Sequence, residues 1–133
     1  MKYLILSLLL TVFIVSCNSN KSAMQGDTQT AVTNDTIRIA NDDLEYEIII
    51  IEPGFNSWLI TQPNEEYYSL SSLENKNVFS VSEYNRRVIN SAFSRELYPQ
   101  QINYENHVRY GMEVNYLLFQ YFRFFEITYK QKL

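Results

Sequence analysis

The segment "HVRYGMEVNYLLFQYFRFFEITYKQK", running from His107 to Lys132, limits the fold more than any other stretch. At helical spacing, Val108, Met112, Asn115, Leu118, Phe119, Phe122 and Phe125 form one stripe. Tyr110, Val114, Leu117, Tyr121 and Phe124 form a second stripe beside it. Arg109, Glu113, Gln120, Arg123 and Lys130 are expected on the opposite, wet side. Gln120 and Arg123 interrupt the apolar run too early for a membrane span. Lys130 and Lys132 near the end suit the helix dipole. A long helix with so broad an aromatic face needs other elements packed against it.

The chain ahead of it supplies them. "TIRIA", a turn cluster Asn41 to Asp43, and "LEYEIIII" read as a β-hairpin. Alternation in Leu44-Glu45-Tyr46-Glu47 suggests one wet face there, whereas four consecutive isoleucines suggest a stretch covered on both faces. Pro53-Gly54 suits the central positions of a type II turn, because glycine tolerates a positive φ. Asn56 or Ser57 is placed to cap a short helix reaching Gln62, stopped by Pro63. "SSLENKNVFSVSEYNRRVIN" reads as a second helix capped by Ser71 or Ser72, with Leu73, Asn77, Tyr84 and Val88 on one face. "SAFSRELYPQQINYEN" is expected to be irregular, with Pro99 as a breaker. The expected fold class is α+β: a small N-terminal hairpin packed against helices, dominated by a long amphipathic C-terminal helix.

The N-terminus carries a different kind of signal. Met1-Lys2 precedes "YLILSLLLTVFIV", an apolar run of signal-peptide length. As a helix it would span only ~20 Å, short of the ~30 Å hydrocarbon core. Ile14-Val15-Ser16-Cys17 resembles a lipobox, the bacterial lipoprotein signal. That resemblance implies cleavage between Ser16 and Cys17 and a diacylglycerol on the Cys17 sulfur. The competing reading is a free or buried cysteine after an uncleaved apolar segment. Two or more acyl chains hold a protein stably on a membrane at ~0.8 kcal/mol per buried CH₂. Asn18, and the lack of an acidic cluster after Cys17, lean towards the periplasmic face of an outer membrane. "NSNKSAMQGDTQTAVTND" then reads as a flexible tether with ~23 Å of reach. The expected organisation is a signal peptide over 1–16, a lipidated cysteine and tether over 17–35, and one small domain over 36–133.

Composition removes several function classes. Cys17 is the sole cysteine, so its acylation would leave no thiol nucleophile, disulfide or thiolate zinc ligand. Loss of Lys2 would leave 10 of the 11 basic side chains against 15 acidic ones, a balance of about −5. That charge argues against nucleic acid as a partner. The three glycines, Gly26, Gly54 and Gly111, cannot build a phosphate loop.

The segments "YEIIIIEPGFNSWL", "LENKNVFSVSEYNRRV" and "YGMEVNYLLFQYFRFFE" resemble a family of small bacterial lipoproteins of unknown function. The resemblance covers nearly all of Thr36 to Tyr129. It implies a lipoprotein signal, a variable tether and one small domain, and it brings no catalytic residues.

Candidate sites remain few. His107, the only histidine, lacks partners for a zinc set or an elbow for a triad, and reads as a surface residue. Glu52, at the end of the isoleucine run, either titrates among aromatics or bonds turn amides. Trp58 either stacks on a ligand or anchors the core. Arg86 and Arg87 lie one turn from Glu83, as an ordinary ion pair or as an anion clamp. Asn115 on the apolar stripe needs a bonded partner, expected from the hairpin or from the loop spanning Leu97 to Glu105. No metal or cofactor is expected. The preferred function is a lipid-anchored, non-enzymatic interaction module meeting another envelope protein. The alternatives are a carboxylate-dependent hydrolase or glycan-active enzyme using Glu52 and Glu113, and a small-ligand binder with a pocket beside Trp58.

Overall fold

The computed structural model describes residues 36–133. The signal segment over 1–16, Ser16, Cys17 and the tether over 17–35 lie outside the described residues. The order is β1 (Thr36–Asn41), β2 (Tyr46–Ile51), α1 (Phe55–Leu59), α2 (Leu70–Ile89) and α3 (Gly111–Tyr129), with single 3₁₀ turns at Asp42–Leu44 and Glu65–Tyr67. β1 and β2 pair antiparallel, from Thr36 opposite Ile51 to Asn41 opposite Tyr46. The class is α+β, as the sequence reading expects.

The hairpin turns on Asn41, whose side chain accepts from Leu44 N at 3.2 Å, while Glu45 takes a left-handed φ of 50°. Its inward face carries Ile37, Ile39, Tyr46 and Ile48, all buried. The isoleucine run is not covered on both faces. Ile49 and Ile51 are 52 % and 74 % exposed, so the period of two continues unbroken through the run. The reason is that the two-stranded sheet has helices on one side only among the described residues.

Glu52-Pro53-Gly54-Phe55 forms the expected type II turn, with Gly54 at φ 83°, ψ −9° and Phe55 N donating to Glu52 O at 3.3 Å. The turn feeds directly into α1, whose first carbonyl acceptor is Gly54. Asn56 and Ser57 therefore lie inside α1 rather than capping it, and the helix ends at Leu59 rather than Gln62. The cap of α2 is Ser69, two residues ahead of the expected Ser71, and its hydroxyl accepts from Ser72 N.

Helix α3 starts at Gly111, where φ reaches 86°, so Val108 and Tyr110 precede it in irregular chain. It is the common wall of the domain. Val114, Leu118, Tyr121, Phe122 and Phe125 are buried among the hairpin, α1 and α2. Phe55 meets Phe124 edge-on at 5.7 Å, and Tyr84 meets Phe125 at 5.6 Å. Such pairs add about 0.5–1.5 kcal/mol each beyond their buried area. Gln120, expected on the wet side, is instead fully buried, with Nε2 pointing at the Tyr68 hydroxyl. The irregular chain around the Glu65–Tyr67 turn lays Tyr68 against Phe119 and so closes that side of the helix.

Pairings fix the direction of α2. Asn77 meets Asn115, Tyr84 meets Phe122, and Arg87 meets Gln131. Both helices thus run the same way, and the chain must return along their whole length between them. That return is the strap of residues 90–110, which contains no helix or strand. Side chains tie it down in place of a backbone ladder. Asn85 both donates to and accepts from Ile102 at 2.8 Å, and Tyr46 OH donates to Asn103 O at 2.6 Å. Tyr104 OH donates to Asn115 Oδ1 at 2.7 Å.

Asn115 is buried with every polar atom engaged. Its Oδ1 also accepts from Asn77 Nδ2 at 3.1 Å, and its own Nδ2 donates to Gly111 O at 2.8 Å. It therefore bonds the expected loop, through Tyr104, and α2 rather than the hairpin. Gln120 Oε1, by contrast, finds no partner among the described residues. The two amides should respond oppositely to replacement. Asn115→Ala strands the Tyr104 hydroxyl and takes one of two acceptors from the Asn77 amide, which keeps the Asn115 backbone carbonyl at 2.9 Å, and should cost about 2 kcal/mol in urea unfolding. Gln120→Met removes an unsatisfied acceptor at similar volume, and should leave stability unchanged or raise it by about 1 kcal/mol.

Candidate functional site

Strand parity places Glu52. Tyr46, Ile48 and Ile50 point inward, and Glu52 occupies the next inward position, after the last residue of β2. It is 6 % exposed. At this end the hairpin meets the last turn of α3, and the Tyr129 hydroxyl donates to Glu52 Oε1 at 2.7 Å. Glu52 Oε2 takes no hydrogen bond among the described residues. Burial pushes the Glu52 carboxyl above its ordinary range, and the Tyr129 bond only partly offsets that. The same bond, with burial, holds the Tyr129 phenol up at about 12.

Glu52 opens onto a recess of about 510 Å³ between the end of the hairpin and the strap. Its buried lining is Tyr84, Tyr121 and Ile102, and its rim carries Ile51, Ser94, Glu96, Pro99, Gln100 and Tyr129. Leu97 and Ile50 line it half-buried. Among the described residues, no lysine, arginine or histidine lines it. Parity was the one signal in the sequence that could have placed Glu52 inside. Helical spacing marks Tyr84 and Tyr121 as inward-facing, but nothing marks Glu96, because the strap that brings it here has no period to read.

The other candidates lie elsewhere. Trp58 packs on Phe124 at 5.4 Å and on Phe55 at 6.1 Å, as a half-buried core anchor, and does not line the Glu52 recess. Glu113 is exposed on the first turn of α3, whereas Tyr129 holds Glu52 at the last. Glu113 and Tyr129 stand sixteen positions apart, ~24 Å of helix, so the two carboxylates cannot flank one scissile bond. His107 is exposed, with Nε2 at 3.1 Å from Glu105 Oε2. Among the described residues, no group of three or more acidic, histidine or cysteine side chains is placed to hold a metal ion. No described helix is long and apolar enough to cross a membrane.

Arg86 and Arg87 do converge, but on Glu83. Arg86 grips it with two bonds at 2.7 and 2.8 Å, and Arg87 Nε adds a third at 2.7 Å. Arg87 also donates to Tyr98 OH, Gln131 Oε1 and the Lys132 carbonyl. Its fork is filled by internal acceptors that pin the strap and the chain after α3 to α2. The two guanidinium groups hold the Glu83 carboxyl down at about 2, well under its usual 4.5. A carboxyl lowered on folding adds stability above pH 4.5 and loses it as the pH falls through 2. Glu83→Gln should therefore melt below the wild-type chain at pH 6, and the gap should close as thermal scans approach pH 2.

Nothing among curated proteins or solved structures matches this chain. A family of unknown function, DUF6146, matches residues 3–133. With nearly its entire length inside that match, the chain belongs to the DUF6146 family.

Proposed function

We propose that the protein is a lipid-anchored cell-envelope protein whose folded part is a non-enzymatic interaction module. The observation that carries this reading is the order of parts at the N-terminus. A basic start, an apolar run and Ile14-Val15-Ser16-Cys17 stand together, ahead of a polar stretch and then a fold that contains no other cysteine. Cys17 carries the lipid and becomes the first residue of the mature chain. Asn18 at the following position, in place of aspartate, favours the outer membrane, facing the periplasm.

The outward hairpin face supports the interaction role. Ile49 and Ile51 stand exposed there beside Thr36 and Arg38, their cross-strand neighbours. Among the described residues each strand pairs only with the other, so each keeps an open edge. A partner from the envelope meets the domain on this face.

Cys17→Ala tests the anchor. The wild-type chain should take up a clickable fatty acid in cells and fractionate with membranes, and Cys17→Ala should take up none. A photo-crosslinking residue at Ile49 should capture one envelope protein in the wild type and lose it in Cys17→Ala. Equal fatty-acid labelling of both chains would overturn the anchor. Capture spread over abundant proteins would overturn the module.

A further inference from the structure

We propose that the Glu52 recess is a binding site for a small organic cation, an ammonium group carried on an apolar body. This goes beyond the anchoring and the outward hairpin face, and depends on neither. A carboxylate more than nine-tenths buried, with one oxygen bonded to Tyr129 and the group lining a cavity, has a second oxygen left to accept from a ligand. An ammonium donor fills that acceptor with a charge-assisted hydrogen bond.

The rest of the lining agrees. Tyr84 and Tyr121 line its buried end, and aromatic side chains attract cations as well as apolar groups. Leu97, Ile102 and Ile50 supply apolar wall. Glu96 adds a second negative charge at the rim, and no basic side chain among the described residues lines the recess. An anion would meet two carboxylates and no positive partner. The volume of about 510 Å³ lies within the range of small-molecule sites, ~300–1,000 Å³.

The walls are also fixed in advance. The reciprocal Asn85–Ile102 bonds hold the strap on α2, and Arg87 holds Tyr98 next to it. A ligand entering a pre-formed site has little ordering left to do.

The test is a methyl-detected NMR titration of the full chain in detergent micelles. Its probes are n-butylammonium, 1-butanol and butyrate, which share a carbon body and differ in charge. Butylammonium should shift the Ile50, Ile51, Leu97 and Ile102 methyls and saturate. Butanol should bind at least tenfold more weakly, and butyrate should not bind. Glu52→Gln keeps an acceptor for Tyr129 and removes the charge. It should lose butylammonium by tenfold or more while its butanol response stays the same. Retention of the wild-type methyl spectrum outside the recess confirms that this variant folds. Glu96→Gln, at the exposed rim, should weaken butylammonium by only two- to threefold. Equal binding of butanol and butylammonium, undiminished butylammonium binding by Glu52→Gln, or shifts scattered away from the recess would each overturn the proposal. None of these results touches the anchor or the hairpin face, so the two readings fail separately.

Discussion

The Asn115 amide is the joint on which the architecture turns. Aromatic packing along α3 supplies most of the buried area, but packing of that kind has little directional preference. Hydrogen bonds in a dry core have strict geometry and are costly to leave unmade. By binding Asn77 on α2 and Tyr104 on the strap at once, Asn115 sets both neighbours against α3 at a single height. Arg87 repeats the arrangement at the other end, joining α2, the strap and the chain after α3. Between these two polar clamps the helices run in the same direction, and the strap has one path back. The twenty or so residues without secondary structure are thereby tied to their neighbours along the strap by side-chain hydrogen bonds.

The two clusters of acidic chemistry in the domain are opposites. Glu83 lies between two guanidinium groups, and its charge serves the fold. Glu52 is buried with one hydroxyl for company. Folding alone does not favour that arrangement, and groups held against local preference concentrate at functional sites. The contrast marks the recess, rather than the arginine pair, as the place where a ligand has something to bind.

Much of this was readable from residues. The aromatic stripes of α3, the type II turn at Pro53-Gly54 and the need for Asn115 to find partners follow from spacing and from single-residue chemistry. What failed did so where burial depends on a partner that has no pattern of its own. Gln120 reads as solvated because the irregular chain that brings Tyr68 over it carries no period. The isoleucines read as doubly covered because a run of identical residues hides the alternation that the pleat imposes. Glu96 reaches the recess on a strap whose path is set by Asn85 and Arg87, thus by residues outside it.

That identity along the isoleucine run has a further effect. In most strands the sequence encodes its own phase, since a slip of one residue turns polar groups inward. Between Ile48 and Ile51 a slip would exchange one isoleucine for another, so the stretch carries no phase information. The ends must supply it. Tyr46 is bonded to the strap through Asn103, and Glu52 is bonded to α3 through Tyr129. The strand behaves like an unmarked ruler read only against its two end stops, and the carboxylate that lines the recess is one of those stops.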